Sequence, residues 1–237
     1  SQDLARGDLS KFDAIVTGVR AWNTRADLRA NYQRLFDYVN NGGTMVVQYN
    51  VAEGGPTGGP LEHIGPYPIR TGRDRVTVEE APITFPNPTL KLLHAPNEIT
   101  QADFDGWIQE RGLNFPDQWD SKYQSVLQSN DPGEDPLKGG MLYTQYGKGA
   151  YIFSAYDWFR ELPAGVPGAY RFFANMLSAG KVQQTRPNES PPRRHRRTAS
   201  VSQALAQRLP FRHRLSGGSD HAVLYLHGGL SSMRHGA

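Results

Sequence analysis

The sequence predicts an α/β protein built on an open, mostly parallel sheet, with an inserted region of loops and a hairpin and a basic tail behind it. Three observations lead there. FDAIVTG, Phe12 to Gly18, is a short apolar run bounded by Asp and Gly, as expected of a strand buried on both faces. A helical pattern follows, and then a second apolar run in GGTMVVQYN, Gly42 to Asn50, so that Phe12 to Asn50 reads as one β-α-β unit with a right-handed crossover. Immediately after it, VAEGGPTGGPLEHIGPYP is so rich in Gly and Pro that it must be loop. The carboxyl end of a strand is where open α/β sheets bind ligands.

Each further element is predicted from its own signals. In the first helix Asn23 or Thr24 serves as cap, and Leu28, Tyr32, Leu35, Phe36 and Val39 recur at helical spacing until Asn41-Gly42-Gly43 ends it. Arg75 to Val78 and Ile83 to Phe85 read as short strands of an inserted hairpin. Thr100 with Asp103 three residues on caps a short helix through Ile108. Met141 to Gln145 and Ala150 to Ala155 flank YGKG as a hairpin. Gly168 to Ala179 is a last helix, with Tyr170, Phe173, Ala174 and Leu177 on one face and a stop at Gly180.

Composition bounds the function. The chain of 237 residues has no cysteine, which excludes disulfides, thiolate metal sites and a cysteine nucleophile. No apolar run approaches the roughly 18 residues that span a membrane, and the start has no apolar signal-peptide core. A beginning at Ser1, running almost at once into a strand, points to sequence upstream of this chain. The net charge of +3 averages two unlike parts: from Val182 onward nine arginines face only Glu189 and Asp220, leaving residues 1–181 mildly acidic and 182–237 strongly basic. That tail reads as a disordered segment or a non-native extension, with structural promise only at Ser200 to Leu209 (helix) and Ala222 to Leu226 (strand). PPRRHRR within it suits phosphates but lacks interleaved aromatics, so nucleic acid is not the expected partner. HAVLYLHGGL resembles the oxyanion-hole segment of lipases and esterases, yet no G-x-S-x-G elbow accompanies it.

Four stretches, FDAIVTGVRAWNTRADL, NNGGTMVVQYN, APNEITQADFDGWIQERG and YGKGAYIFSAYDWFRELPAGVPGAYRFFANML, carry a likeness that covers most of residues 8–181. The chain there resembles the class I glutamine amidotransferase-like superfamily, a flavodoxin-like fold. It is most similar to the amidotransferase-like domain that follows a sugar-deacetylase domain in bacterial proteins of the LmbE-like (PIG-L-type) family. The resemblance implies a parallel sheet lacking its first strand and helix here, an upstream deacetylase as partner, and a bacterial cytoplasmic location, or a periplasmic one if a signal peptide has been lost. It also exposes a gap. In active amidotransferases the strand matching Met45 to Asn50 ends in a catalytic Cys, with a His-x-Glu pair near the last strands. Tyr49 or Asn50 occupies the corner here and SAYDW stands for the pair. A tyrosine with an ordinary pKa near 10 is a poor nucleophile, so glutamine hydrolysis is not expected.

Two function classes remain. In the first, a cysteine-less accessory domain binds a carbohydrate or small polar ligand: Tyr49 and Asn50 form a polar rim, and Glu110 and Arg111 set a charge pair beside a Trp107 sugar platform. In the second, a hydrolase opens a small ester, lactone or amide with water activated by His63, His94 or Glu53. The D-x-D-G of Asp103 and Asp105 suggests Ca²⁺ as an aid. Each residue also has a structural reading: a solvated strand end, a buried ion pair, a surface histidine, a helix cap.

Overall fold

Every strand of the central sheet runs parallel to its neighbours except two at one edge. In the computed structural model of the chain, which describes residues 2–53, 59–184 and 222–228, α1 (Gln2–Arg6) leads into β1 (Ala14–Thr17). Three short helices, α2 (Ala21–Thr24), α3 (Ala26–Ala30) and α4 (Tyr32–Asn40), then return the chain to β2 (Thr44–Gln48). β3 (Ile69–Val76) and β4 (Gly112–Trp119) form a separate antiparallel pair. β5 (Gln124–Ser129), β6 (Leu137–Tyr146) and β7 (Gly149–Ser154) complete the main sheet from one side. Helices α5 (Trp158–Ala164) and α6 (Pro167–Gln184) follow, and β8 (Val223–Leu226) completes the sheet from the other side. The order is β5-β6-β7-β2-β1-β8. β7, β2, β1 and β8 are parallel; β5 and β6 are antiparallel additions.

The apolar runs account for the core. All residues of β1, β2 and β7 are buried on both faces, and α4 and α6 both pack against β2 and β7, as a parallel sheet between helices requires. Among the described residues no helix is long and apolar enough to cross a membrane.

Several expectations need correction. The predicted single helix after β1 is broken at Arg25 and Asn31. Arg25 is extended and grips Asp27 through two hydrogen bonds (2.9 and 2.6 Å), while the Asn31 side chain donates to the Asp27 carbonyl at 2.8 Å, a local bond that competes with a continuous helical ladder. Neither Asn23 nor Thr24 caps it. The Asn23 side chain accepts from Val51 N (3.0 Å), and Thr24 donates back to the Arg20 carbonyl. The predicted hairpin of Arg75 to Val78 with Ile83 to Phe85 does not form. Instead β3 pairs with the distant β4, and Thr84, flanked by Pro82 and Pro86 that have no N–H to give, makes only an isolated bridge to Gln128. Thr100 and Asp103 do form a capping box, but the turn closes after Phe104 because Asp105 is extended and Gly106 is left-handed (φ 70°). The last helix runs through Gly180 to Gln184, and its buried face is Ala169, Phe172, Asn175, Met176 and Ala179, one position off the predicted stripe. Two stripes at helical spacing coexist there, and only tertiary packing selects between them.

The strand expected at Ala222 to Leu226 exists as β8, in register with β1 (Ala14 opposite Val223, Thr17 opposite Leu226). The helix expected at Ser200 to Leu209 and the PPRRHRR run lie outside the described residues.

Candidate functional site

β2 ends at Gln48, and the next two residues have opposite fates. Asn50 is fully buried and spent on structure: its Oδ1 accepts from Trp22 N (3.0 Å) and its Nδ2 donates to the Gln48 carbonyl (2.7 Å), stapling the strand end to the first turn of α2. Tyr49 keeps a free function. Its carbonyl accepts from Arg20 N (2.7 Å), with Arg20 held left-handed at φ 55°, and its ring stacks on Phe159 at 6.1 Å and 20°. Burial raises the phenol pKa; Arg20 and Arg160 pull it down less strongly, while Asp157 and Glu110 push the same way as burial. The hydroxyl therefore stays neutral, a donor and acceptor rather than an oxyanion.

Those four charged residues define the corner. Asp157, directly before α5 and fully buried, accepts from Arg160 Nε at 2.7 Å. The same guanidinium reaches Glu110 at 3.3 Å and donates to the Gln109 side-chain carbonyl. Burial, reinforced by the Glu110 carboxylate, pushes the Asp157 carboxyl up to about 8 against the opposing pull of Arg160. Among the described residues Asp157 Oδ1 has no donor, and a proton on the Asp157 carboxyl lets it bond its acidic neighbour, as paired carboxyls do. The corner thus joins a buried carboxyl shifted toward its protonated form to a guanidinium, with the Tyr49 phenol in the field of both. Gln109 beside them is also left-handed (φ 66°), and strained backbone of this kind concentrates at functional sites.

Behind the corner the same segment is locked down. Ile108 N donates to both oxygens of buried Glu161 (3.1 and 3.2 Å), whose carboxyl burial pushes up to about 7. Arg111 is buried, donates to the Ala81 and Phe104 carbonyls (2.9 and 2.7 Å), and lies over Trp107 at 5.5 Å. Asp157 N closes onto the Arg111 carbonyl at 3.0 Å. Gly112 follows because a β-carbon there would run into the Ala155 carbonyl oxygen.

Of the residues singled out from sequence, Tyr49 and Glu110 meet at this corner, Asn50 lies beneath it and Arg111 behind it. Trp107 is only 4% exposed, packed edge-on against Trp158 and Tyr156, so it is core and offers no sugar platform. Glu53 is exposed and paired with Arg73. His63 is exposed, stacked on Tyr32 at 4.1 Å. Both His94 ring nitrogens face acceptors, the Pro88 carbonyl and Glu98, each at 2.6 Å, which raises its pKa and ties it to a neighbouring loop. Among the described residues His63 meets Tyr32 and His94 meets Pro88 and Glu98, none of them at the corner. Asp103 spends its oxygens on Thr100 N (2.8 Å) and Arg171 (2.7 Å), and Asp105 is exposed. Among the described residues no three His, Asp or Glu side chains group as a metal site. Sequence reasoning missed Asp157, Arg160 and Glu161; their signal was the charged run DWFRE directly after a buried strand.

A surface cleft of about 720 Å³ lies between Leu61–Arg70 and Gln118–Asp120. It contains His63 but none of the corner residues.

No family model matches this chain, and no curated protein matches it. Among solved structures, a cold-adapted β-galactosidase from Rahnella sp. R3 is similar over 74% of this chain and 24% of its own, at 17% identity and a TM-score of 0.42. The chain therefore spans about a quarter of that protein's length.

Proposed function

We propose that this chain is a cysteine-less amidotransferase-like domain that binds a small polar ligand, an amino sugar in particular, at the strand-end corner as an accessory to a deacetylase, and that it does not hydrolyse glutamine. One observation supports the reading: the strand that the resemblance matches to the thiol-bearing one ends at Tyr49-Asn50, and the neutral Tyr49 hydroxyl lies in the field of Glu110, Asp157 and Arg160. A phenol and a guanidinium supply donors, and Glu110 supplies an acceptor for an ammonium or hydroxyl. Such a set matches a ligand dense in hydroxyl and amino groups and has no group fit to attack a carbonyl. Calorimetric titration with glucosamine tests it. Binding should weaken about tenfold in Tyr49→Phe or Glu110→Gln, as for loss of one hydrogen bond to a charged or polar partner; no heat from the unmodified protein would sink it.

A second reading, hydrolysis of a small ester, lactone or amide, gains support from the Asp157–Glu110 pairing, since a protonated acid beside a second carboxyl group is an acid–base arrangement. It transfers the chemistry from His63, His94 and Glu53 to these two acids. Turnover of activated esters that disappears in Asp157→Asn and Glu110→Gln would favour it over binding alone.

A further inference from the structure

We propose that the cleft between Leu61–Arg70 and Gln118–Asp120 is a second binding site, separate from the strand-end corner, and that it takes the neutral pyranose ring of a sugar. Its volume, about 720 Å³, falls in the range of small-molecule sites. Its lining divides by chemistry. Ile64 and Ile69, both buried, provide an apolar base. Trp119 and Tyr67 are half-buried rings on the wall, and Glu62, Gln118 and Asp120 bring carboxylate and amide groups.

The charges select the ligand. Arg70 is held by Asp117 through two bonds of 2.7 and 2.8 Å, so its charge is already answered. An anion would meet the Glu62 and Asp120 carboxylates, and Lys122, which lies over the Tyr67 ring at 4.1 Å, is outside the lining. A wholly apolar ligand would strip water from those carboxylates without replacing their hydrogen bonds. A pyranose satisfies both demands, because its C–H face packs on an aromatic ring while its hydroxyl rim donates to carboxylate and amide oxygens.

The walls are set in place before any ligand arrives. The Tyr123 hydroxyl accepts from Tyr67 N (3.1 Å) and donates to the Tyr67 carbonyl (2.9 Å); Tyr151 donates to the Ile64 carbonyl (2.6 Å); Asp120 N donates to the Pro68 carbonyl (3.0 Å). Trp119 sits opposite Ile69 in the β3–β4 pairing, so ring and base are held side by side. Ordered walls reduce the entropy lost on binding.

The tryptophans make the test specific. Trp22, Trp107 and Trp158 are buried and Trp119 is the partly exposed one of the four. Titration of the whole chain with glucose, N-acetylglucosamine, cellobiose and chitobiose should give, for at least one, a saturable shift in intrinsic fluorescence that Trp119→Phe abolishes. By calorimetry, Trp119→Ala should weaken that sugar roughly tenfold, and Gln118→Ala, which alters only an exposed side chain, should weaken it severalfold even if Trp119→Ala fails to fold. The fluorescence response of Trp119 should persist in Tyr49→Phe, whatever that variant does at the corner. No saturable response to any of the four sugars overturns the proposal. So does binding that ignores Gln118→Ala but is lost in Tyr49→Phe, which would move the sugar to the corner.

Discussion

Arg160 Nε lies 2.7 Å from Asp157 Oδ2, a guanidinium joined to a carboxyl that is fully buried and still shifted toward its protonated form. Burial and the neighbouring Glu110 outweigh an adjacent positive charge.

That balance predicts how stability changes with pH. The Asp157 carboxyl moves from an ordinary 3.8 to about 8 on folding, and Glu161 from 4.5 to about 7. Between those values the native state holds protons that the unfolded chain has released, so both groups make unfolding easier as pH rises from about 4 to 8. The thermal midpoint should fall between pH 5 and pH 8, and Asp157→Asn, which cannot ionise, should flatten the slope. An unchanged slope in calorimetric melts of that variant would refute the assignment.

Arg111 should be the costliest single charge to remove. Its loss leaves the Ala81 and Phe104 carbonyls without donors, strips the Trp107 face and exposes Glu161 to an interior without its nearby cation. Arg111→Met should lower unfolding free energy by about 3 kcal/mol. Arg111→Lys should recover little, since an ammonium cannot reach both carbonyls in the same fork. Urea denaturation measures both.

Asp103 separates a metal role from a capping role. Asp103→Ala removes the bond to Thr100 N and the ion pair to Arg171, and should cost about 1 kcal/mol. The loss should be the same with excess Ca²⁺ or with chelator. A stability difference that tracks Ca²⁺ in the unmodified protein and vanishes in the variant would restore a metal site there.

Removing residues 182–237 should destabilise residues 1–181 and leave them net negative. Leu226, 2% exposed, packs in the sheet, and β8 supplies the backbone partners of one edge of β1. The loss should be at least the roughly 2 kcal/mol of one buried leucine, read as a lower denaturation midpoint. A truncated chain as stable as the whole would show β8 to be energetically idle.

Much of this architecture is legible in the sequence because it is local. Ala14–Thr17 and Thr44–Gln48 are short apolar runs between glycines and acids, and the β6–β7 hairpin carries its own turn, with Gly147 left-handed at φ 58°. What was hidden is nonlocal. Nothing near Arg75 announces that its partner is Leu113, across an intervening segment rich in proline. The burial of Trp107 depends on Trp158 and Tyr156, and the selection of the Phe172 face of α6 on the strands beneath it. The corner was half legible: a strand ending in Tyr49 marks the place, but the groups that charge it come from Glu110 and from the start of α5, brought together only by the fold.

The pairing of β1 with β8 sets a clock on biosynthesis. Ala222 N bonds Asp13 Oδ2 across a separation of 209 residues. β1 therefore stands with one edge unpaired until a segment 209 residues further along has been made. During that interval Ile15 and Val16 border an open strand edge, where mispairing is easiest.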